Sequence, residues 1–295
     1  MNPSSVQPLN GARDRPPLIQ VDELRQLLKS PASLRPVVLD VRFRMDRSTG
    51  RQEFGHAHIP GASYVDLETE LAAIRPGGAG GRHPMPTVES FSAAMRSAGV
   101  TLSRPVVAYD DWASLPASRL WWMLRHLGFQ DVRVLDGGIR AWTAAGQPTE
   151  AGPGSPETGD FRPAGTGVGA LLKAADATRY ADTCLLLDAR PADRFRGENE
   201  TIDPVAGHIP GAVSAPALDT VDGDGRFLPA KELAHCFREL GAEDGKPIGT
   251  YCGSGIQATH LALALSVAGI TDSADVYIGS WSDWITSPDR PIALG

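Results

Sequence analysis

An α/β protein of two tandem, similar domains, each a mostly parallel sheet flanked by helices, is the fold class that this sequence predicts. Three observations carry the prediction. Blocks of sequence occur twice in the same order, short apolar runs alternate with helix-length patterns within each copy, and a Gly/Pro-rich tract lies between the copies. Val37-Val38-Leu39-Asp40-Val41-Arg42 returns 148 residues later as Leu185-Leu186-Leu187-Asp188-Ala189-Arg190. The pentad His58-Ile59-Pro60-Gly61-Ala62 returns 150 residues later as His208-Ile209-Pro210-Gly211-Ala212. Val134-Leu135-Asp136-Gly137-Gly138, followed by Trp142, is paralleled 142 residues on by Val276-Tyr277-Ile278-Gly279-Ser280, followed by Trp284.

In the first copy, Val37–Val41 reads as a strand because it is a short apolar run ending at a charge. Val88–Ala98 follows Pro86 as an amphipathic helix, Val106–Tyr109 is a second strand, Ala117–Leu127 a helix stopped by Gly128, and Val132–Leu135 a third strand. The second copy matches them with strands Cys184–Asp188, Pro247–Tyr251 and Ala274–Ile278, and a helix over Gln257–Ala268. Strands separated by helical stretches of 10–15 residues are the pattern of a parallel sheet with both faces covered. The domains are set at residues 17–151 and 168–295. The tract 152–167 has the composition of a linker, although Phe161 offers an anchor if it packs on the domains instead. Ligands of such sheets bind beyond the C-terminal ends of the strands.

Composition narrows the function classes. The 295 residues carry 28 basic and 35 acidic side chains, net −7, which disfavours nucleic-acid binding by the surface as a whole. No apolar run reaches the length of a membrane span, and the first 16 residues form a polar tail without a signal-peptide core, so a cytoplasmic protein is expected. Three cysteines cannot form a disulfide framework. There is no Cys-x-x-Cys pair and no ligand-spaced His/Cys cluster, so no metal or organic cofactor is expected. Cys184 and Cys236, in a strand and a helical pattern, read as core or semi-buried thiols. The oligomeric state is not set by these features.

Cys252 is different. It follows a strand and opens Cys252-Gly253-Ser254-Gly255-Ile256-Gln257-Ala258, with a helix running on from there. Glycines on both sides of a serine let several backbone N–H groups converge on one point, and the helix start adds positive potential. Such a nest favours a thiolate nucleophile and holds arriving negative charge. In the first copy the equivalent position is Asp110, with neither thiol nor glycine nest, so two copies carry one nucleophile.

With these features in place, the chain resembles the two-domain rhodanese family of sulfurtransferases over roughly Gln20 to Gly295. The doubled Leu-Asp-x-Arg and His-Ile-Pro-Gly-Ala motifs carry the resemblance, with Gly81-Arg82-His83-Pro84, Trp121-Trp122-Met123-Leu124 and Gly279-Ser280-Trp281-Ser282-Asp283-Trp284. The resemblance implies a catalytic second copy and a first copy without the cysteine. Cys-Gly-Ser-Gly is similar to loops that use 3-mercaptopyruvate, whereas thiosulfate-type loops resemble Cys-Arg-Lys-Gly. Gln257 departs from the usual Thr and leaves donor preference open.

The implied reaction passes sulfur from a small anionic donor through a Cys252 persulfide to a thiol, a thioredoxin-like protein or cyanide. The donor lies against Gly253, Gly255, Ile256, Gln257 and Ala258. Arg190, after the first strand of the second copy, and Arg196 are candidate carboxylate clamps; internal pairing, with Asp188 for Arg190, is the alternative for each. The resemblance also implies that Ser254 works with a histidine and an aspartate of the first domain, matched here to His58 and Asp46. Because His58 has a twin in His208, it serves either that relay or a turn. Arg82 and His83, in a Gly/Pro-rich loop, are candidates for the border of the cleft. Trp281 and Trp284 are candidates for an aromatic wall around the persulfide, or for core packing.

Two rivals stay in view, a thiosulfate sulfurtransferase and a non-catalytic persulfide carrier. A cysteine phosphatase is disfavoured because Ala258 stands where an arginine is needed.

Overall fold

The structure, a computed structural model, describes residues 15–45, 49–73, 80–154, 156–165 and 167–295. The first domain contains β1 (Leu18–Ile19), α1 (Val21–Leu28), β2 (Val37–Asp40), α2 (Gly50–His56), β3 (Ser63–Tyr64) and α3 (Val88–Ser97), then β4 (Val106–Tyr109), α4 (Leu115–His126), β5 (Val132–Leu135) and α5 (Gly138–Ala144). The second contains α6 (Ala174–Thr183), β6 (Leu185–Asp188), α7 (Ala192–Arg196), β7 (Val213–Ser214), α8 (Ala230–Glu239), β8 (Ile248–Tyr251), α9 (Ile256–Val267), β9 (Asp275–Val276) and α10 (Ser280–Trp284).

The two sheets repeat one plan. The first runs β1-β5-β4-β2-β3 and the second β7-β6-β8-β9, with every pair parallel. Leu171 makes one parallel bridge to Val276, a remnant of the place that β1 holds beside β5. The strands β2 and β4 are buried along their whole length, as a sheet covered on both faces requires. The last strand is shorter than the run Ala274–Ile278 suggests. The chain leaves the sheet after Val276 and turns into α10, where Trp281 N–H donates to Cys252 O (2.9 Å) and Ser282 N–H to Gly253 O (3.1 Å).

Helices α4 and α9 follow the central strands and pack against each other across the domain boundary, in one core shared by both domains. Ten residues of each are buried, so neither shows a polar face. The connecting tract packs on the first domain. Phe161 is buried edge-on against Phe91, and Gly159, Phe161 and Ala164 N–H groups donate to Arg96, Val100 and Leu127 carbonyls.

Cys184 is half-buried, but Cys236 is exposed, contrary to expectation. The buried face of α8 carries Leu233, Ala234 and Phe237, which turns Cys236 outward. Among the described residues no helix is long and apolar enough to cross a membrane, and no cluster of His, Cys, Asp or Glu could hold a metal ion.

Candidate active site

Cys252 leaves the C-terminal end of β8 and is 1% exposed. The N–H groups of Gly255 and Ser254 point at its sulfur, at 3.0 and 3.4 Å. Ser280 Oγ lies 3.9 Å from the sulfur and accepts the Cys252 N–H at 3.0 Å. Each loop glycine has its own reason. Gly255 sits in the left-handed region at φ 84°, where a Cβ would also stand 2.5 Å from Ile278 O. Gly253 needs space, because a Cβ there would meet Arg82 Nη2 at 2.9 Å.

The first domain supplies an internal comparison. In the same place after β4, the Asp110 carboxylate accepts N–H groups from Trp112 (2.7 Å), Ala117 (2.9 Å) and Ser114 (3.0 Å). Burial nevertheless raises its pKa to about 6, against the lowering effect of those N–H groups. That nest is filled by a side chain of its own. The nest around Cys252 instead points its donors at a sulfur.

Guanidinium groups lie close to the Cys252 loop, but not the two expected. Arg190 is fully buried and forked onto Asp188, with Nη2–Oδ2 at 2.7 Å, and it donates to Gly207 O and lies over the Trp281 ring. Arg42 makes the same fork with Asp40, so this arginine belongs to the duplicated fold rather than to an open carboxylate clamp. Arg196 is exposed and pairs with Glu198 at 2.7 Å. The arginines that reach the loop are Arg82 and Arg194. Their Nη2 and Nη1 atoms lie 2.9 and 3.7 Å from the point where a Gly253 Cβ would be. Asp203, buried between the domains, accepts from both, while Glu200 takes the remaining edge of Arg194.

Arg119 on α4 is also fully buried behind the loop. It donates to the carbonyls of Leu71, His83 and Gly255, and among the described residues it has no carboxylate partner. Complete burial pushes its pKa down to about 10, with nearby Cys252 acting the other way.

His58 does not stand free for the expected relay. His58 spends both ring nitrogens on the fold, Nδ1 on Phe54 O (2.7 Å) and Nε2 on Glu150 Oε1 (3.1 Å), and stacks on Phe54. His208 repeats the stack on Phe195 and the bond to its carbonyl, so the pentad fastens a turn. Asp46 lies outside the described residues. The histidine beside the arginines is His83, buried, with an Nδ1 that has no hydrogen-bond partner. Burial foremost, then the charges of Arg119 and Arg82, pushes its pKa down to about 4.

Ser254 is buried next to the sulfur, whereas the side chains of Ile256 and Ala258 belong to the core and Gln257 is half-buried. Trp281 and Trp284 are core as well. Their indole N–H groups bond Val205 O and Pro291 O, so they form no open wall. Arg82 and His83 stand in the Gly/Pro-rich loop expected at the border of the cleft, whereas Arg194 was not among the expected site residues.

The histidines also govern acid stability. Burial pushes His260 as well as His83 to about 4, below the ordinary value of about 6.5. The unfolded chain therefore takes up protons first as pH falls. The stability they contribute is full above about pH 6.5 and is lost between there and pH 4. The urea midpoint is expected to fall between pH 7.5 and 5, and His260→Gln to shrink the fall. An equal fall in the variant contradicts this assignment.

Residues 20–145 and 169–287 each match the rhodanese-like domain. The chain belongs to the rhodanese family. The chain is 40% identical over 260 residues to a Mycobacterium tuberculosis protein provisionally named a thiosulfate sulfurtransferase, covering 88% of this chain and 90% of that one. It is 44% identical over 287 residues to a Pseudomonas aeruginosa protein named, also provisionally, a 3-mercaptopyruvate sulfurtransferase, covering 94% and 98%. Among solved structures it resembles the 3-mercaptopyruvate sulfurtransferase from Leishmania major, with a TM-score of 0.83 at 27% identity, over 97% of this chain and 78% of that one. The tandem rhodanese plan thus spans residues 20–287.

Proposed function

We propose that the protein transfers sulfur from 3-mercaptopyruvate through a persulfide on Cys252 to a thiol or thioredoxin-like acceptor in the cytoplasm. The observation that carries this reading is the pair of guanidinium edges, one from each domain, converging over Gly253 beside a sulfur that accepts two backbone N–H groups. The donor carboxylate takes the Arg82 and Arg194 edges, which sets its sulfur against Cys252. The Cys252 thiolate attacks that sulfur, the carbon–sulfur bond breaks, and its electron pair leaves on carbon as the enolate of pyruvate. A proton then converts the enolate to pyruvate. Ser254 and the neutral imidazole of His83 are the groups available to move the donor thiol proton. The persulfide stays under the loop N–H groups until an acceptor thiolate or cyanide attacks its outer sulfur and frees the Cys252 thiolate.

Charge favours a monoanionic donor. Arg82, Arg194 and Arg190 are matched by Asp203, Glu200 and Asp188 in one neutral network, and among the described residues Arg119 beside them has no carboxylate partner. The thiosulfate reading keeps one support, because the two arginine edges are cations near the loop that the loop sequence itself lacks. Steady-state transfer to cyanide with each donor alone separates the two. A kcat/KM for 3-mercaptopyruvate at least tenfold above that for thiosulfate is expected, and the reverse order overturns the donor assignment.

Loss of one charged edge carries a defined signature. Charge-assisted hydrogen bonds are worth about 1.5–3 kcal/mol, so Arg82→Gln is expected to raise KM for 3-mercaptopyruvate by about tenfold or more, with a smaller change in kcat. An unchanged KM removes Arg82 from donor binding.

A further inference from the structure

The first-domain loop that carries Arg82 is seated on the second domain by its backbone as well as by its side chain. Gly80 N–H donates to Asp283 Oδ1 (3.1 Å), and Arg82 N–H donates to Ser282 Oγ (3.1 Å). Between them Gly81, at φ 85°, approaches α10 so closely that a Cβ would stand 2.3 Å from Gly279 O and 2.7 Å from Ser282 Oγ. The His83 carbonyl, next along the loop, accepts from Arg119 (2.7 Å). Ser282 joins this seat to the Cys252 loop. Its own N–H donates to Gly253 O (3.1 Å), and its hydroxyl, besides accepting from Arg82, donates to Gly279 O (3.2 Å). One half-buried residue therefore bonds the backbones of both Arg82 and Gly253, the residue over which the Arg82 guanidinium lies. The first copy has Arg140 and Ala141 at the matching positions, 142 residues earlier, so neither acceptor belongs to the duplicated pattern.

A long side chain loses rotamer freedom when it must hold one geometry, and fixing its backbone in advance reduces that cost. Side chains that grip a substrate are held by such supporting bonds. Resting on the assignment of Arg82 to the donor carboxylate, we propose that Ser282 is a positioning residue for sulfur transfer. Its hydroxyl sets the distance from the Arg82 backbone to Gly253, and so the place where the donor carboxylate is held while its sulfur meets Cys252. Asp283 secures the same loop at Gly80. A displaced Arg82 is felt in donor binding before it is felt in the chemical step, because the Cys252 loop keeps its own backbone bonds from Trp281 and Ser282.

Ser282→Ala in the full chain removes the acceptor for Arg82 and keeps the N–H bond to Gly253. It is expected to raise KM for 3-mercaptopyruvate about three- to tenfold, the worth of one hydrogen bond, with kcat within about twofold. Hydrogen exchange over 80–84 is expected to quicken severalfold. In the Arg82→Gln background the same substitution is expected to change KM by less than about twofold, because Ser282 acts through Arg82. Gly81→Ala, which drives the loop off Gly279, is expected to raise KM in the same way and serves if Ser282→Ala does not fold. Exchange over 80–84 at the parental rate in Ser282→Ala overturns the proposal. So does a parental KM in Ser282→Ala while Arg82→Gln raises KM, or an effect of Ser282→Ala that persists undiminished beside Arg82→Gln. A parental KM in Arg82→Gln strikes the donor assignment itself, and the role of Ser282 falls with it.

Discussion

Cys252→Ser is expected to lower kcat/KM for 3-mercaptopyruvate by about 10³-fold or more, equivalent to about 4 kcal/mol or more of transition-state stabilisation. The hydroxyl fits the same nest under the N–H groups of Ser254 and Gly255 but cannot hold a sulfane sulfur. The fold should barely respond, because the substitution changes one atom in a loop fixed by backbone bonds from Trp281 and Ser282. Turnover by the serine variant within tenfold of the parent would move the nucleophile elsewhere.

Arg190→Met has the opposite signature. It leaves the Asp188 carboxylate buried without its forked partner, and removing one member of a buried ion pair typically costs about 3–5 kcal/mol. A clear drop in the urea midpoint is expected, with the second domain giving way first, while KM for the fraction that remains folded stays near the parent value. Arg194 and Arg82, not Arg190, present the open edges at Gly253. A stable variant with a strongly raised KM would restore Arg190 as the carboxylate clamp and contradict the geometry.

The duplicated architecture was legible in the sequence because apolar strands and glycine turns are local signals, and both copies spell them. Strands β4 and β5 match their sequence runs, and the proposed nucleophile stands out because its cysteine occurs in one copy only. The Gly/Pro-rich loop marked Arg82 and His83 as a border of the cleft, but no spacing rule links position 82 to position 253. Arg194 carried no such mark. Arg194 sits four residues past the conspicuous Arg190, inside α7 and within reach of the loop, whereas Arg190 precedes that helix and is forked onto Asp188.

Duplication itself was the discriminating signal. Arg42 repeats Arg190 and His58 repeats His208, and all four serve the fold, by the same contacts in each domain. Residues that differ between the copies divide the labour instead, as Cys252 and Asp110 show. The twin of His58 already offered the turn as one of its two readings, and the contacts of His58 and His208 are those of that turn.

The most direct test of the central claim is the intact mass of the protein after brief exposure to 3-mercaptopyruvate with no acceptor present. The persulfide account predicts a gain of one sulfur atom, mapped to Cys252, removed by cyanide and absent from Cys252→Ser. No gain, or a gain that survives in Cys252→Ser on the exposed Cys236 or the half-buried Cys184, would contradict it.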